Sequence, residues 1–351
     1  MNLSHLKFYL ILSTLFSIIF IIIFIYRSKN TKKSTTSNLY TEALNAMISG
    51  DQKLALKLLK SVVKKDTNHI SAYLQLGNIL RSENNNQALK IHRSLAIRPN
   101  LSDSQRIKIH EALAKDYLKM DNYKLAKTEA ERILKFDKKN IWALKLLLKV
   151  AKHQNEWDLC IGLVKQIQKI EGENNKEAII EFEILKAYEY SLDGKINEAK
   201  NSLKKIIKNF PNIPLSYLYL GDIYEKSRDL VNAVKNWEKF AERNQKNSIK
   251  IFKKIESGLF DLGLYSEVEK FYRKIIKINP SNIEAAVRLA NVLEEKGENE
   301  SAFALIDSFR DLGKFNLKRD LMKIKLSLLN STPIELSQQI DSLILNMENE
   351  K

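Results

Sequence analysis

The feature that most constrains this chain is a small residue that returns at a nearly fixed interval. Ala55, Ala88, Ala126, Cys160, Ala199, Ala233, Val268 and Ala302 follow one another at spacings of 33, 38, 34, 39, 34, 35 and 34 residues. The clearest copy of the unit is Tyr217-Leu218-Tyr219-Leu220-Gly221-Asp222-Ile223-Tyr224, followed by Ala233 and Trp237. Leu220, Tyr224, Ala233 and Trp237 stand at helical intervals on two faces that must meet, and Gly221 and Ala233 let the backbones approach. A two-helix unit of this size cannot bury its own apolar face, so copies must stack on either side of it. The spacing therefore predicts eight helix pairs. Gly50, Gly194, Gly263 and Gly297 each fall five residues before a marker, where a left-handed helix end is needed.

This pattern of aromatic, Leu-Gly, Tyr, then Ala and an aromatic four residues later resembles the tetratricopeptide repeat. The expected fold is all-α: an N-terminal transmembrane helix, a right-handed α-solenoid of about eight helix pairs over 39–316, and capping helices over 317–351. All five prolines, Pro99, Pro211, Pro214, Pro280 and Pro333, lie at joints or first turns, where none interrupts a helix. Ser102-x-x-Gln105, Ser281-x-x-Glu284 and Thr332-Pro333-x-Glu335 read as capping boxes. The last two helices are expected at about Leu317 to Leu329 and Pro333 to Met347.

The region 1–27 reads as a membrane anchor. Phe8 to Tyr26 is a run of 19 residues without a charge, long enough to cross a bilayer. No small-x-small cleavage site follows it, which favours an anchor over a cleaved signal. Lys7 stands alone before the run, whereas Arg27, Lys29, Lys32 and Lys33 follow it, so the repeats are expected to face the cytoplasm. Residues 28–38 (SKNTKKSTTSN) contain no apolar side chain and read as a polar tether.

Composition narrows the chemistry. With Cys160 as the single cysteine, the sequence has no internal disulfide and no Cys-x-x-Cys zinc or redox motif. The five histidines, His5, His69, His92, His110 and His153, are scattered without a second ligand at metal spacing, and no phosphate loop or nucleophile elbow occurs. No catalytic constellation, metal site, cofactor or small-molecule substrate is expected. Cys160 and the tryptophans Trp142, Trp157 and Trp237 read as packing residues. The net charge of +16 raises the alternative of a basic repeat protein binding RNA. After the first 39 residues, however, 53 basic residues are set against 42 acidic ones and spread over many helices, which reads as a solvated surface.

What remains is a groove. First helices of stacked pairs line the concave surface, and the tetratricopeptide resemblance places the exposed positions of that wall in the third and fourth units at Lys108, Glu111, Lys115, Lys119, Trp142, Lys145, Lys149, Lys152 and His153. Six lysines against one acid would attract an acidic segment of a protein partner or a terminal carboxylate. Asn78 and Arg81 of the second unit resemble part of a carboxylate clamp, although Leu74 stands where a clamp would place lysine.

A narrower resemblance runs through residues 1 to about 135. Gly50-Asp51-Gln52-Lys53-x-Ala55, Leu76-Gly77-Asn78-x-x-Arg81-Ser82, Ala88-x-x-Ile91-His92, Gln105-Arg106 and Ala114-Lys115-Asp116-Tyr117 together resemble the lipopolysaccharide assembly protein B family. The resemblance implies a single-pass protein of the bacterial inner membrane, held by its N-terminal helix. It also implies an adaptor that presents a lipid A pathway deacetylase to a membrane-bound ATP-dependent protease. That family ends in a rubredoxin-like zinc module with two Cys-x-x-Cys pairs, and this sequence has no cysteine after Cys160. A general scaffold for another membrane complex is the alternative.

Overall fold

The computed structural model describes residues 36–309, 316–328 and 331–349, together with Ile21. Among these residues every regular element is a helix. The helices divide into two compact units after Asn174.

The first unit comprises α1 (36–48), α2 (Gln52–Lys65), α3 (Ile70–Glu83), α4 (Asn85–Ala96), α5 (Asp103–Lys119), α6 (Tyr123–Phe136), α7 (Ile141–His153) and α8 (Trp157–Glu171). The second comprises α9 (Lys176–Leu192), α10 (Ile196–Asn209), α11 (Pro214–Lys226), α12 (Leu230–Arg243), α13 (Ile249–Asp261), α14 (Tyr265–Ile278), α15 (Ile283–Glu295), α16 (Asn299–Asp307), α17 (Leu317–Ser327) and α18 (Pro333–Asn349). Within each unit successive helices pack as antiparallel pairs. The eight marker residues all open second helices, and each is at most 1% exposed. A larger side chain at any of them would push two helices apart, so the register is set by volume.

Most turns inside a pair reverse the chain in few residues through one residue with positive φ. Gly50, Gly194, Gly263 and Gly297 serve, with φ between 71° and 81°. Asp121, Asn155 and Arg228 hold the same position in three other pairs, at φ of 53° to 59°. The α3–α4 turn dispenses with it: Asn84 both ends α3 and caps α4 through its side chain.

Capping follows the sequence at two of three places. Ser102 and Gln105 form a reciprocal box at α5, and Thr332 and Glu335 do so at α18. At α15 the cap is Asn282, which accepts from the Ala285 amide, while Ser281 bonds to Asn279. Asn282, one residue later, occupies the N-cap position and satisfies the first free amide, so the expected Ser281 box does not form.

One expectation is corrected. Among the described residues no helix is long and apolar enough to cross a membrane, and those residues form the helical-pair array without a transmembrane helix. The segment 8–26, on which that helix was expected, lies outside the described residues apart from Ile21, as does the tether through 35.

Candidate protein-binding groove

In the first unit the first helices α3, α5 and α7 present the residues singled out above. Lys108, Glu111, Lys115 and Lys119 recur at helical intervals along α5; Trp142, Lys145, Lys149 and Lys152 do so along α7. Between α3 and α5 lies a cleft of about 130 Å³ with Leu74 and Ala112 at its floor and Asn78, Lys108, Glu111 and Lys115 around it. Across the next junction the Lys115 ammonium sits 5.3 Å from the centre of the half-buried Trp142 ring, which ties α5 to α7 by a cation–π contact.

The lysines differ in how free they are. Lys108 and Lys149 are exposed, and among the described residues neither forms an ion pair. Lys115 pairs with Glu111 one turn earlier at 2.5 Å, and Lys145 reaches Glu171 at 2.7 Å. Exposed pairs of this kind stabilise by only about 0.3–0.5 kcal/mol, so an incoming carboxylate can replace Glu111 on Lys115 at little cost. Lys119 bends back to donate to the Arg81 and Ser82 carbonyls, the latter at 3.2 Å. Lys152 and His153 are exposed at the end of α7, with His153 stacked on Tyr123.

Asn78 and Arg81 do hold a carboxylate, but an internal one. Arg81 Nε donates to Asp116 Oδ1 at 2.5 Å, and its Nη2 donates to Asn78 Oδ1 at 2.9 Å and the Ala112 carbonyl at 3.2 Å. The second oxygen of Asp116 lies 2.5 Å from His92 Nδ1, and both side chains are fully buried. Asn85 Nδ2 adds a bond to the Asp116 carbonyl at 3.0 Å. His92 needs room for its ring, and Gly77 supplies it: a Cβ on that glycine would strike the imidazole. This knot fastens the α3–α4 pair to α5. A buried aspartate requires such saturation, because an unpaired buried charge would cost several kcal/mol. Arg81 is therefore a structural residue, and the open part of the wall is centred on Lys108, Lys115, Trp142 and Lys149.

The remaining polar clusters are also structural. His69 caps α3, and His110 pairs with Glu129 at 2.7 Å. Among the described residues no three His, Cys, Asp or Glu side chains come together as metal ligands would. Cys160 is fully buried, and that burial pushes its thiol above the ordinary range. Maleimide at neutral pH is therefore expected to leave Cys160 unmodified in the folded chain and to label it after denaturation, as mass spectrometry would read. Labelling of the native protein at the rate of a free thiol would contradict this packing.

Comparison with known proteins agrees with this architecture. A tetratricopeptide-repeat family model matches residues 176–212, and a model described as a domain of unknown function, DUF7017, matches residues 38–159. The chain is a tetratricopeptide-repeat protein.

Within that class it is similar to lipopolysaccharide assembly protein B. Over 277 residues it is 22% identical to that protein from Escherichia coli strain K12, covering 79% of this chain and 71% of the relative. It is 24% identical to the Haemophilus influenzae protein of the same name over 277 residues, covering 76% and 69%. Among solved structures, a tetratricopeptide repeat protein from Parabacteroides merdae aligns over 84% of this chain and 99% of its own, with 15% identity and a TM-score of 0.39. The MamA protein aligns over 61% and 94%, with 18% identity and a TM-score of 0.34.

Proposed function

We propose that the protein is a non-catalytic adaptor that binds an acidic segment of a protein partner along the wall formed by α3, α5 and α7. The observation that carries this reading is the cleft beside Lys108 and Lys115. It offers an apolar floor of Leu74 and Ala112 beneath two ammonium groups, which suits a side chain with an aliphatic stem and a carboxylate tip. Trp142 and Lys149 extend the same chemistry along α7, so a peptide of several residues can be held by modest contacts. Lys145 and Lys152 flank that path. Asn78 lines the cleft, while Arg81 and Lys119 support its back.

The similarity to lipopolysaccharide assembly protein B supports lipopolysaccharide assembly as the process in which this adaptor works. In its specific form, suggested by the residues 1–135 resemblance, the adaptor presents a lipid A pathway deacetylase to an ATP-dependent protease of the inner membrane. Binding rather than catalysis is then its whole contribution, and the level of the presented enzyme is the output.

Charge reversal tests the reading. Lys108→Glu with Lys149→Glu changes two exposed side chains that support no internal ion pair, so helicity and melting should stay as in the parent chain. Recovery of the partner in a pull-down should fall by about tenfold or more, equivalent to about 1.4 kcal/mol. The same reversal at Lys124 and Lys139, exposed outside this wall, should leave recovery unchanged. Equal recovery by all variants would remove the wall from the account.

A further inference from the structure

Two isoleucines of the first unit are almost fully exposed, Ile97 at 84% and Ile48 at 85%, and they stand at opposite edges of it. Ile48 ends α1 beside the turn into α2, whereas Ile97 lies in the turn that joins one helix pair to the next. The turns between pairs are stitched into one edge. Arg98 Nη1 donates to the Thr67 carbonyl at 2.7 Å, which ties the α4–α5 turn to the α2–α3 turn. Arg106 Nε donates to the Leu101 carbonyl at 3.2 Å, and its guanidinium lies 5.9 Å from the centre of the Phe136 ring at the end of α6. Tyr40 lies against His69 with ring centres 4.6 Å apart, so α1 starts at this edge too.

Along this edge Lys64, Lys65, Lys135, Lys138 and Lys139 are exposed, and among the described residues none of them forms an ion pair. The acids at the same turns are Asp66, Asp103 and Asp137. Asp66 accepts from the Asn68 amide at 2.9 Å and Asp137 from the Lys139 amide at 3.0 Å, each within its own turn, which leaves Asp103 exposed. A lysine in the last turn of a helix complements the helix dipole, and that accounts for Lys64, Lys65 and Lys135. It does not account for Lys138 and Lys139, which precede the Asn140 cap at the positive end of α7, where a cation is disfavoured. The sequence that enters α1 here adds Arg27, Lys29, Lys32 and Lys33 with no acid among them. The opposite edge, by contrast, mixes its cations with Asp51, Glu83, Asp121 and Glu156, and the basic edge itself stops at the end of α8 with Glu171 and Glu173.

We infer that this edge of the first unit is a peripheral interface for an anionic lipid surface, with the five lysines meeting head groups and Ile97 entering the boundary with the acyl chains. Each lysine held near such a surface strengthens binding by about fivefold, so the cluster suffices without a deep apolar face. A single-stranded nucleic acid would instead call for open aromatic faces between the cations. The Phe136 ring is already occupied, stacked on His110 at 6.2 Å and covered by Arg106, and the side chain left open among the lysines is the aliphatic Ile97. The edge lies at the helix ends and the lysine wall along α5 and α7, so either can fail without the other.

The experiment uses the full chain carrying Ile97→Cys or Ile48→Cys, labelled with a polarity-sensitive maleimide dye while buried Cys160 stays silent, so that the readout comes from one edge whatever else in the chain touches the vesicle. Vesicles of phosphatidylcholine mixed with phosphatidylglycerol should shift the emission of the dye at position 97 to the blue, and added salt should reverse the shift. Vesicles of phosphatidylcholine alone should leave it unchanged, and the dye at position 48 should stay in water with both. Lys64→Glu with Lys65→Glu, and separately Lys135→Glu with Lys138→Glu, should raise the lipid concentration for half the shift by about tenfold or more while circular dichroism stays as in the parent chain. A dye at position 97 that remains in water while the chain sediments with the mixed vesicles would overturn the inference, as would equal shifts at positions 48 and 97 or a shift unmoved by the reversals. A response of position 97 to polyuridylate but not to the mixed vesicles would overturn it as well, and would make the edge a nucleic-acid surface.

Discussion

Asp116→Ala is expected to destabilise the first unit by about 3–5 kcal/mol, the range for removing one partner of a buried charge pair. The residue is fully buried, and its two oxygens are shared between Arg81 and His92. Without the carboxylate, the Arg81 guanidinium keeps only Asn78 and a carbonyl, and the His92 ring over Gly77 keeps only the 3.4 Å contact of its Nε2 with the Leu74 carbonyl. Against a typical domain stability of about 5–15 kcal/mol the loss is large. Urea unfolding monitored by circular dichroism should show an earlier transition for the variant. Replacing Arg81, His92 and Asp116 together by apolar side chains of similar volume should recover most of the loss, because no buried charge then remains unpaired. A shift below about 1 kcal/mol for Asp116→Ala would mean that water, rather than the protein, satisfies this carboxylate.

Trp237→Ala is the corresponding experiment in the second unit, and a loss of about 3–5 kcal/mol is expected there too. The indole is 1% exposed and fills the space above Gly221, where a Cβ would collide with it. Its Nε1 also donates to Asp222 Oδ1 at 3.0 Å, and Asp222 in turn holds Lys254. The substitution therefore opens a cavity and unbinds an ion-pair partner of the next helix pair. Trp237→Phe should cost clearly less, since it keeps most of the ring volume and loses only the donor. Equal losses for the two variants, read by thermal unfolding, would assign the effect to the hydrogen bond and not to packing.

Gly77 with His92 and Gly221 with Trp237 are the same device in two units: an aromatic ring of the second helix laid over a glycine of the first. The repeat register was legible in the sequence because that device is a matter of side-chain volume at fixed spacing. Volume patterns survive substitution, so Cys160 and Val268 could be read as equivalents of alanine. The turn positions were only half legible. Glycine marks a positive φ by composition, whereas Asp121, Asn155 and Arg228 adopt it because the flanking helices impose it. No local signal identifies an arginine for that role.

The candidate wall was legible as a row of lysines but not as a set of partners. Spacing along α5 and α7 places Lys108, Lys115, Lys119, Lys145, Lys149 and Lys152 correctly on first helices, yet spacing does not say which ammonium is already engaged. Lys119 and Arg81 are recruited by atoms 35 to 38 residues away, a distance over which periodicity carries no information. The signal that could have found the buried knot was present in a different form. The Leu76–Ser82, Ile91-His92 and Ala114–Tyr117 segments carried the family resemblance separately, and the fold brings Arg81, His92 and Asp116 from them to one point.

The central claim, that the α5–α7 wall is where a protein partner is held, is tested most directly by site-specific photocrosslinking in living cells. A photoreactive residue placed at Lys108 or Lys149, followed by mass spectrometry of the adducts, should capture the same protein from both positions, through an acidic segment. The same residue at Lys124 or Lys139 should not. If the specific form is right, that protein is the lipid A pathway deacetylase or the protease, and recovery of a different client would keep the adaptor and discard the pathway. Absence of any protein adduct at Lys108 and Lys149, with abundant adducts at the outer positions, would contradict the account.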